Sequence, residues 1–362
     1  MMAAIGIRKR IGINAVYGWI KVMTQLVYSN EELMADHPFA RAQVIVGEKM
    51  HGGFDKAGTY VSPRTLHRWP AVRAWKQALE TKGDKVLDAT TELLSRSNYP
   101  SREQQKFLLR NGLGQTFWNS LTVTGVFEGR GRFICEATIP DFQKIIVEDI
   151  SELAIGHLHK GLLYAHGADE GGDPKHDGIG AHDAMWYALR DLVFGKDAYP
   201  DPEIPENLSR PGAEPLFPQI DEACAGIIGL LLNLLMIEIR AESFFAFCCD
   251  LLDDADLFLD RRAEAAEARE VVERIRTDEA IHTVSLQVVL SEMRTLTFRT
   301  SDGGTIAGSD LIDGPWETIV SWHSDRRQEG DRERTKAQLE GMIGKLDGGD
   351  RLVAEFNSLE YA

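Results

Sequence analysis

Residues 223–237 (ACAGIIGLLLNLLMI) run uncharged for 15 positions and are followed at once by Glu238, Arg240 and Glu242. A membrane span needs roughly 20 apolar residues, so this run is short for one and reads instead as a core helix. A helix that is apolar around most of its circumference has to be buried. Glu238 and Glu242 are therefore drawn towards the interior with it. An unpaired buried carboxylate is costly, so such groups are paired, protonated or bound to a metal. The competing reading is an ordinary ion pair with Arg274 or Arg276.

The surrounding connectivity predicts four helical segments, at 141–166, 181–194, 219–253 and 262–298. Gly167 stops the first, and Asp260 is placed as N-cap of the last. Between the second and third segments lie Pro200, Pro202, Pro205, Pro211, Pro215 and Pro218, which forbid a helix and force an extended crossing. A helix pair, a long crossover and a second pair is the connectivity of bundles with one crossover connection. On the last segment Val271, Ile275, Glu279, His282, Leu286, Val289 and Met293 follow one face. Glu279 and His282 thus sit inside an apolar stripe as Glu-x-x-His, the spacing that lets a carboxylate and an imidazole converge on one metal. In an antiparallel hairpin turning near 254–260, Glu238 lies closest to the height of Glu279 and Glu242 one turn away.

In the first segment Glu152, His159 and His166 fall on one stripe, Glu148 slightly off it, and His157 on another face. Glu152 and His159 are its candidate ligands. His182, at the first turn of the second segment, is either a further ligand or a helix cap. Hard oxygen donors mixed with imidazoles suit iron or manganese, and the absence of paired cysteines argues against structural zinc.

Outside the bundle, residues 1–139 read as a mixed N-terminal region packing on it. A helical start is expected at 14–28, turns around 51–70, helical spacing from 71 to 94 and a hairpin at 121–139. Residues 299–362 read as a C-terminal extension, irregular at first and helical from 331 to 345. The expected organisation is thus 1–139, 140–298 and 299–362, with a mainly all-α fold. The chain has 362 residues and a formal charge of −16, which argues against nucleic acid, whose phosphates need clustered basic surface. Four cysteines form neither a disulfide framework nor a metal knuckle. No cleavable apolar leader is evident, so a cytoplasmic protein is expected, without membrane association. Gly125–Gly131 and the Ser301-Asp-Gly-Gly-Thr stretch lack the lysine and the strand-to-helix context of a phosphate loop.

On these residues the chain resembles the ferritin-like di-iron carboxylate superfamily, over about 140–298. Glu279 and His282 match that superfamily's last motif, Glu238 or Glu242 its third-helix glutamate, and Glu152 its first; segment 181–194 has no Glu-x-x-His. A second resemblance, to the haem-oxygenase-like di-metal oxidases, rests on Glu152-x6-His159, although Ile275 stands where that family's last helix carries a histidine. The first resemblance implies a ferritin-like four-helix bundle core holding two irons per chain, or manganese. Glu152, Glu238, Glu279 and His282 would be the catalytic set, with His159, His182 and Glu242 as additional ligands. It implies an O2-dependent oxidoreductase or oxygenase acting on a small organic substrate, served by an electron donor protein. A homodimer is expected. The alternatives are a ferroxidase or iron-storage protein and a non-catalytic helical binding protein.

Overall fold

A computed structural model describes residues 25–39, 43–94, 98–175, 180–204, 206 and 216–360. Among them the protein is mainly helical. The α-helices in chain order are α1 (Asn30–Leu33), α2 (Arg68–Thr81), α3 (Arg102–Arg110), α4 (Gln115–Arg130), α5 (Leu162–Gly171) and α6 (His182–Phe194). They continue with α7 (Glu222–Asp253), α8 (Arg262–Thr295), α9 (Gly308–Ser321), α10 (Arg327–Ile343) and α11 (Gly349–Ser358). Three short antiparallel hairpins, at 44–49, 53–61 and 297–307, are the strands.

The two long helices α7 and α8 pack along each other, α8 also packs on α6, and α6 on α4. The short α5 touches α4, α6 and α8. The stripe read from the sequence of α8 is the one that is buried: Val271, Ile275, Leu286, Val289 and Met293 are each at most 3% exposed, with Glu279 and His282 among them. Among the described residues α7 is the helix long and apolar enough to cross a membrane by length and composition, and half of its apolar window is buried inside the protein. Burial pushes the Cys248 thiol well above its ordinary range, consistent with a cysteine that serves as a small apolar side chain.

Four expectations are corrected. The stretch 121–139 is not a hairpin: it is the C-terminal part of α4 followed by a 3-10 turn at Gly131–Glu136. Its β-branched residues are packed against α6, and tertiary burial overrides their strand preference. The first bundle helix does not start at 141. Residues 142–144 and 154–160 are 3-10 turns, and α5 begins only at Leu162. A Cβ at Gly156 would lie 2.1 Å from the Ile150 carbonyl oxygen, and Gly161 takes a left-handed φ of +105°, so the chain turns twice where a continuous helix was expected. Asp260 does not cap α8; Arg261 stands at the cap and the helix starts at Arg262. In the tail, α9 occupies part of the stretch expected to be irregular, and the expected helix at 331–345 is α10. The N-terminal helix expected at 14–28 lies outside the described residues up to 24, and 25–29 is not helical.

Glu292, in the last turns of α8, accepts from the backbone N–H groups of Ala154 and Ile155 at 3.1 Å each, the first amides of the 3-10 turn. Burial raises its carboxyl pKa, the two amides oppose the shift, and the result is about 7. The folded state thus holds this proton more tightly than the unfolded chain, whose glutamate titrates near its ordinary value. The associated stability is greatest below the unfolded pKa and declines as pH rises to about 7. We expect the wild-type stability relative to Glu292→Gln to fall by about 3 kcal/mol between pH 4.5 and 7. Denaturant midpoints across that range, measured for both proteins, check it.

Candidate metal centre

Five helices bring ionisable side chains to one place in the core. Glu128 comes from the last turn of α4, His166 and Glu170 from α5, and His182 from the first position of α6. Glu238 comes from α7, and Glu279 and His282 from the middle of α8. None of these side chains is more than 10% exposed. They form two overlapping sets that could each hold a metal ion: Glu128, Glu170, His182 and Glu279, and His166, Glu170, Glu238 and His282. Within each set the donor atoms lie within 4.8 Å of one another, and Glu170 belongs to both.

In the first set His182 Nδ1 lies 3.0 Å from Glu279 Oε1, 3.5 Å from Glu128 Oε2 and 3.6 Å from Glu170 Oε2. In the second, His166 Nε2 lies 3.1 Å from Glu238 Oε1 and 3.7 Å from Glu170 Oε1. His282 Nδ1 is 2.8 Å from Glu170 Oε1 and 2.7 Å from Glu279 Oε2. The His166 and His282 rings stack at 4.1 Å. Despite this crowding, Glu128 Oε2, Glu170 Oε1 and His182 Nδ1 are buried without a hydrogen bond. Buried polar atoms are nearly always satisfied, and these three fall in the donor sets, Glu128 Oε2 and His182 Nδ1 in the first and Glu170 Oε1 in the second.

Behind the donors sits a second layer of side chains that fixes the imidazoles. Asp169 is 1% exposed and accepts from Arg64 Nε at 2.8 Å and from Arg68. Burial alone would raise its pKa, but the two guanidinium groups hold it well below the usual carboxylate range. Its Oδ2 lies 3.0 Å from His282 Nε2. An ionised carboxylate can only accept, so Nε2 carries a proton, and a neutral ring would turn the Nδ1 lone pair to the centre. Asp278 does the same for His182, with Oδ2 3.3 Å from Nε2, and itself accepts from the Tyr60 hydroxyl at 2.7 Å. A third set, His51, His182 and Asp278, is close enough to hold an ion. His51 Nδ1 is bonded to the Gly180 carbonyl at 2.8 Å and His182 Nε2 faces Asp278, so we read this set as support for His182.

The glutamates have no such counterions. Burial, then the charges of Glu279 and Glu128, raise the Glu170 pKa well above its ordinary value. Burial and Glu238 push Glu279 up to about 7. For His282 burial works in the lowering direction, but Glu279 and the neighbouring Asp169 and Glu170 outweigh it and raise its pKa well above normal. Without an ion, then, protons are what balance this cluster.

Local sequence explains how the helices approach so closely. A Cβ on Gly131 would stand 2.3 Å from Glu170 Cβ, and one on Gly171 would stand 2.3 Å from the Gly129 carbonyl oxygen. The glycines of Glu128-Gly-Arg-Gly, read in the sequence as turn formers, are what let α4 and α5 cross with Glu128 and Glu170 face to face. Of the candidates read from the sequence, Glu238, Glu279, His282 and His182 are brought together here. Glu152 and His159 are not: both are exposed, before α5 begins, so the stripe that a continuous helix would have given them does not exist. Glu242 is paired with Arg276 at the surface side of α7. His157 is buried elsewhere, where its Nε2 accepts from the Tyr28 amide. Glu128, Glu170 and His166 complete the centre. One sequence signal bears on Glu170: of the Asp-Glu pairs at 169–170, 221–222 and 278–279, the first and last each have an aspartate backing a histidine on another helix.

Replacing Asp278 by Asn should leave the helical content near native and weaken metal binding by about 10- to 100-fold, because only the orientation of His182 is lost. Asp169→Asn should instead cost about 3–5 kcal/mol of stability, because it leaves two guanidinium groups buried without their anion. Metal titration and denaturant unfolding of the two variants separate these outcomes. Comparison with protein-family models, with curated proteins and with solved structures found no match, so the reading of this centre rests on its own geometry.

Proposed function

We propose that this protein is an O2-dependent oxidoreductase built on a dinuclear iron or manganese centre and acting on a small organic molecule. The observation that carries the reading is the overlap of the two donor sets at Glu170, with unsatisfied buried atoms at their meeting point. Glu128, Glu170, His182 and Glu279 would hold one ion, and His166, Glu170, Glu238 and His282 the other. Two divalent ions carry the charge that cancels four glutamates while the imidazoles stay neutral, which removes the main cost of burying the carboxylates. Oxygen and imidazole donors without thiolate suit iron and manganese. When bound, such a pair supplies the electrons and the Lewis acidity for reaction with O2.

The donor set supports a likeness to the ferritin-like pattern of one glutamate from each of two helices and a Glu-x-x-His from each of two others. Glu128 and Glu238 would be the single glutamates, and Glu279 with His282 one motif. The second motif would be divided: Glu170 at the end of α5 and His182 at the start of α6, joined by a loop. The chain's own contribution is positional. Asp169 and Asp278 hold the imidazoles, the Arg64 and Arg68 pair keeps Asp169 ionised, and the helix packing excludes water from the centre. An electron donor protein, a homodimer and a cytoplasmic setting belong to the same reading. A purely structural hydrogen-bonded network, the non-catalytic alternative, would leave no reason for the orphaned atoms. Iron storage would need assembly into a cage.

Full-length protein reconstituted with Fe(II) under anaerobic conditions and desalted should retain about two metal ions per chain by elemental analysis. Glu170→Ala should lower that to less than about one, since the residue serves both positions, while Glu152→Ala and His159→Ala should match wild type. Oxygen uptake on admission of air should follow metal content. Wild-type protein that retains neither iron nor manganese would falsify the oxidoreductase reading.

A further inference from the structure

Next to the centre lies a cavity of about 370 Å³. Its floor is the inner face of Glu128, His166, Glu170, Glu238 and Glu279, the same side chains that form the candidate metal centre. One wall is a stripe of α7 at helical steps, Leu230, Asn233, Leu234, Ile237 and Ala241. The facing wall is Phe127, Ile134 and Ala137, and the outer residues of the two walls include Phe133, 68% exposed, and on α7 Ile237, 37% exposed. Among the described residues this stripe is only partly covered, whereas Ile228, Leu231 and Leu235 on the rest of α7 are fully buried. This accounts for a helix that is apolar nearly all round: part of its surface meets the core, and part faces a partly open space beside the carboxylates.

We propose that this cavity is the substrate site and that its occupant is an uncharged, predominantly apolar small molecule whose inner end meets the centre. The proposal rests on the oxidoreductase reading for the word substrate, but the binding it describes does not. The volume falls within the range of small-molecule pockets, which are mostly apolar with a few polar groups. A charged group placed between the α7 stripe and Phe127 would lose its hydration without gaining a partner there. The floor gives a charge no compensation, because four glutamates and two divalent ions cancel. Arg130 lies on the lining with its guanidinium 4.8 Å over the Phe127 ring and one nitrogen donating to the Glu206 carbonyl at 2.9 Å. It is the group that an anionic ligand would have to use, and the test below includes that case.

The probe is N-phenyl-1-naphthylamine, uncharged and fluorescent in apolar surroundings, compared with 8-anilinonaphthalene-1-sulfonate, which has the same ring skeleton plus a sulfonate. Both are titrated into full-length protein, metal-free and metal-loaded, with metal content measured on the same samples. The uncharged probe should saturate at about one per chain and bind at least about tenfold more tightly than the sulfonate. Leu234→Trp and Ala241→Trp, which fill the cavity from two heights, should each weaken the uncharged probe by about tenfold or more with unchanged far-ultraviolet circular dichroism. Leu259→Ala, on an exposed residue away from the cavity, should have no effect. Absence of saturable binding, or wild-type affinity in both tryptophan variants, overturns the site. Equal or tighter binding of the sulfonate overturns the uncharged occupant in favour of an anion read by Arg130. Probe binding that survives while no metal is retained overturns the oxidoreductase reading and leaves the cavity as a ligand site.

Discussion

The structure depends on how it buries carboxylates, and it does so in two different ways within a few ångströms. Asp169 is neutralised permanently by Arg64 and Arg68, which hold it ionised in the core. Glu128, Glu170, Glu238 and Glu279 have no arginine or lysine among their recorded contacts, and the groups facing them are each other and the histidines. Burial and neighbouring carboxylates raise the pKa values of Glu170 and Glu279, whereas at Glu238 burial is outweighed by His166 and the pKa is lowered. Without an ion the positive charge facing these glutamates comes from His182 and His282, whose pKa values the carboxylates raise against burial. This difference between Asp169 and the glutamates separates the supporting layer from the donor layer more sharply than distance does.

Holding such a cluster together imposes demands on the backbone. Donors must come from several helices at once, because one helix face offers only positions three or four residues apart. The chain brings α4 and α5 into near contact through Gly131 and Gly171, and breaks between α5 and α6 so that a glutamate and a histidine from different helices reach the same point. The Asp-Glu dipeptides at 169–170 and 278–279 then cross-brace the arrangement, since Asp169 on α5 orients His282 on α8 and Asp278 on α8 orients His182 on α6. Thus α5 and α8 each carry a donor for the centre and, beside it, the group that fixes a donor on another helix.

What the sequence made legible follows from periodicity. The α8 stripe, the burial of Glu238 and the level it shares with Glu279 can be read from spacing alone, because long helices keep their phase. The parts that could not be read are those where tertiary contacts decide. Residues 121–130 are β-branched and glycine-bearing, and only their burial against α6 makes them helical. Residues 141–161 carry helical spacing but are folded into turns by Gly156, Gly161 and the tertiary cap from Glu292. The displaced phase put Glu152 and His159 in the candidate set and ended the first helix at Gly167, one turn short of Glu170. Glu242 was read as inward because α7 looks apolar on every side, and Arg276 is what draws it outward.

That last misreading leads to the most informative feature of the chain. An apolar helix surface is expected where it is covered, yet among the described residues part of the stripe from Leu230 to Ala241 faces a partly open space. Leu230, Leu234 and Ala241 also touch the core with part of their surface, so the stripe serves both the packing and the space. The same stripe ends beside Glu238, and across the space from it stand Glu128 and Phe127 on α4. A single helix thus supplies a donor to a buried polar centre and an apolar wall to the space in front of it. A chain selected only for a stable bundle would close that space with larger side chains, since an empty apolar cavity forfeits contacts on all of its walls. An open space beside unsatisfied carboxylates is what the proposed delivery of an apolar molecule to a metal pair would require.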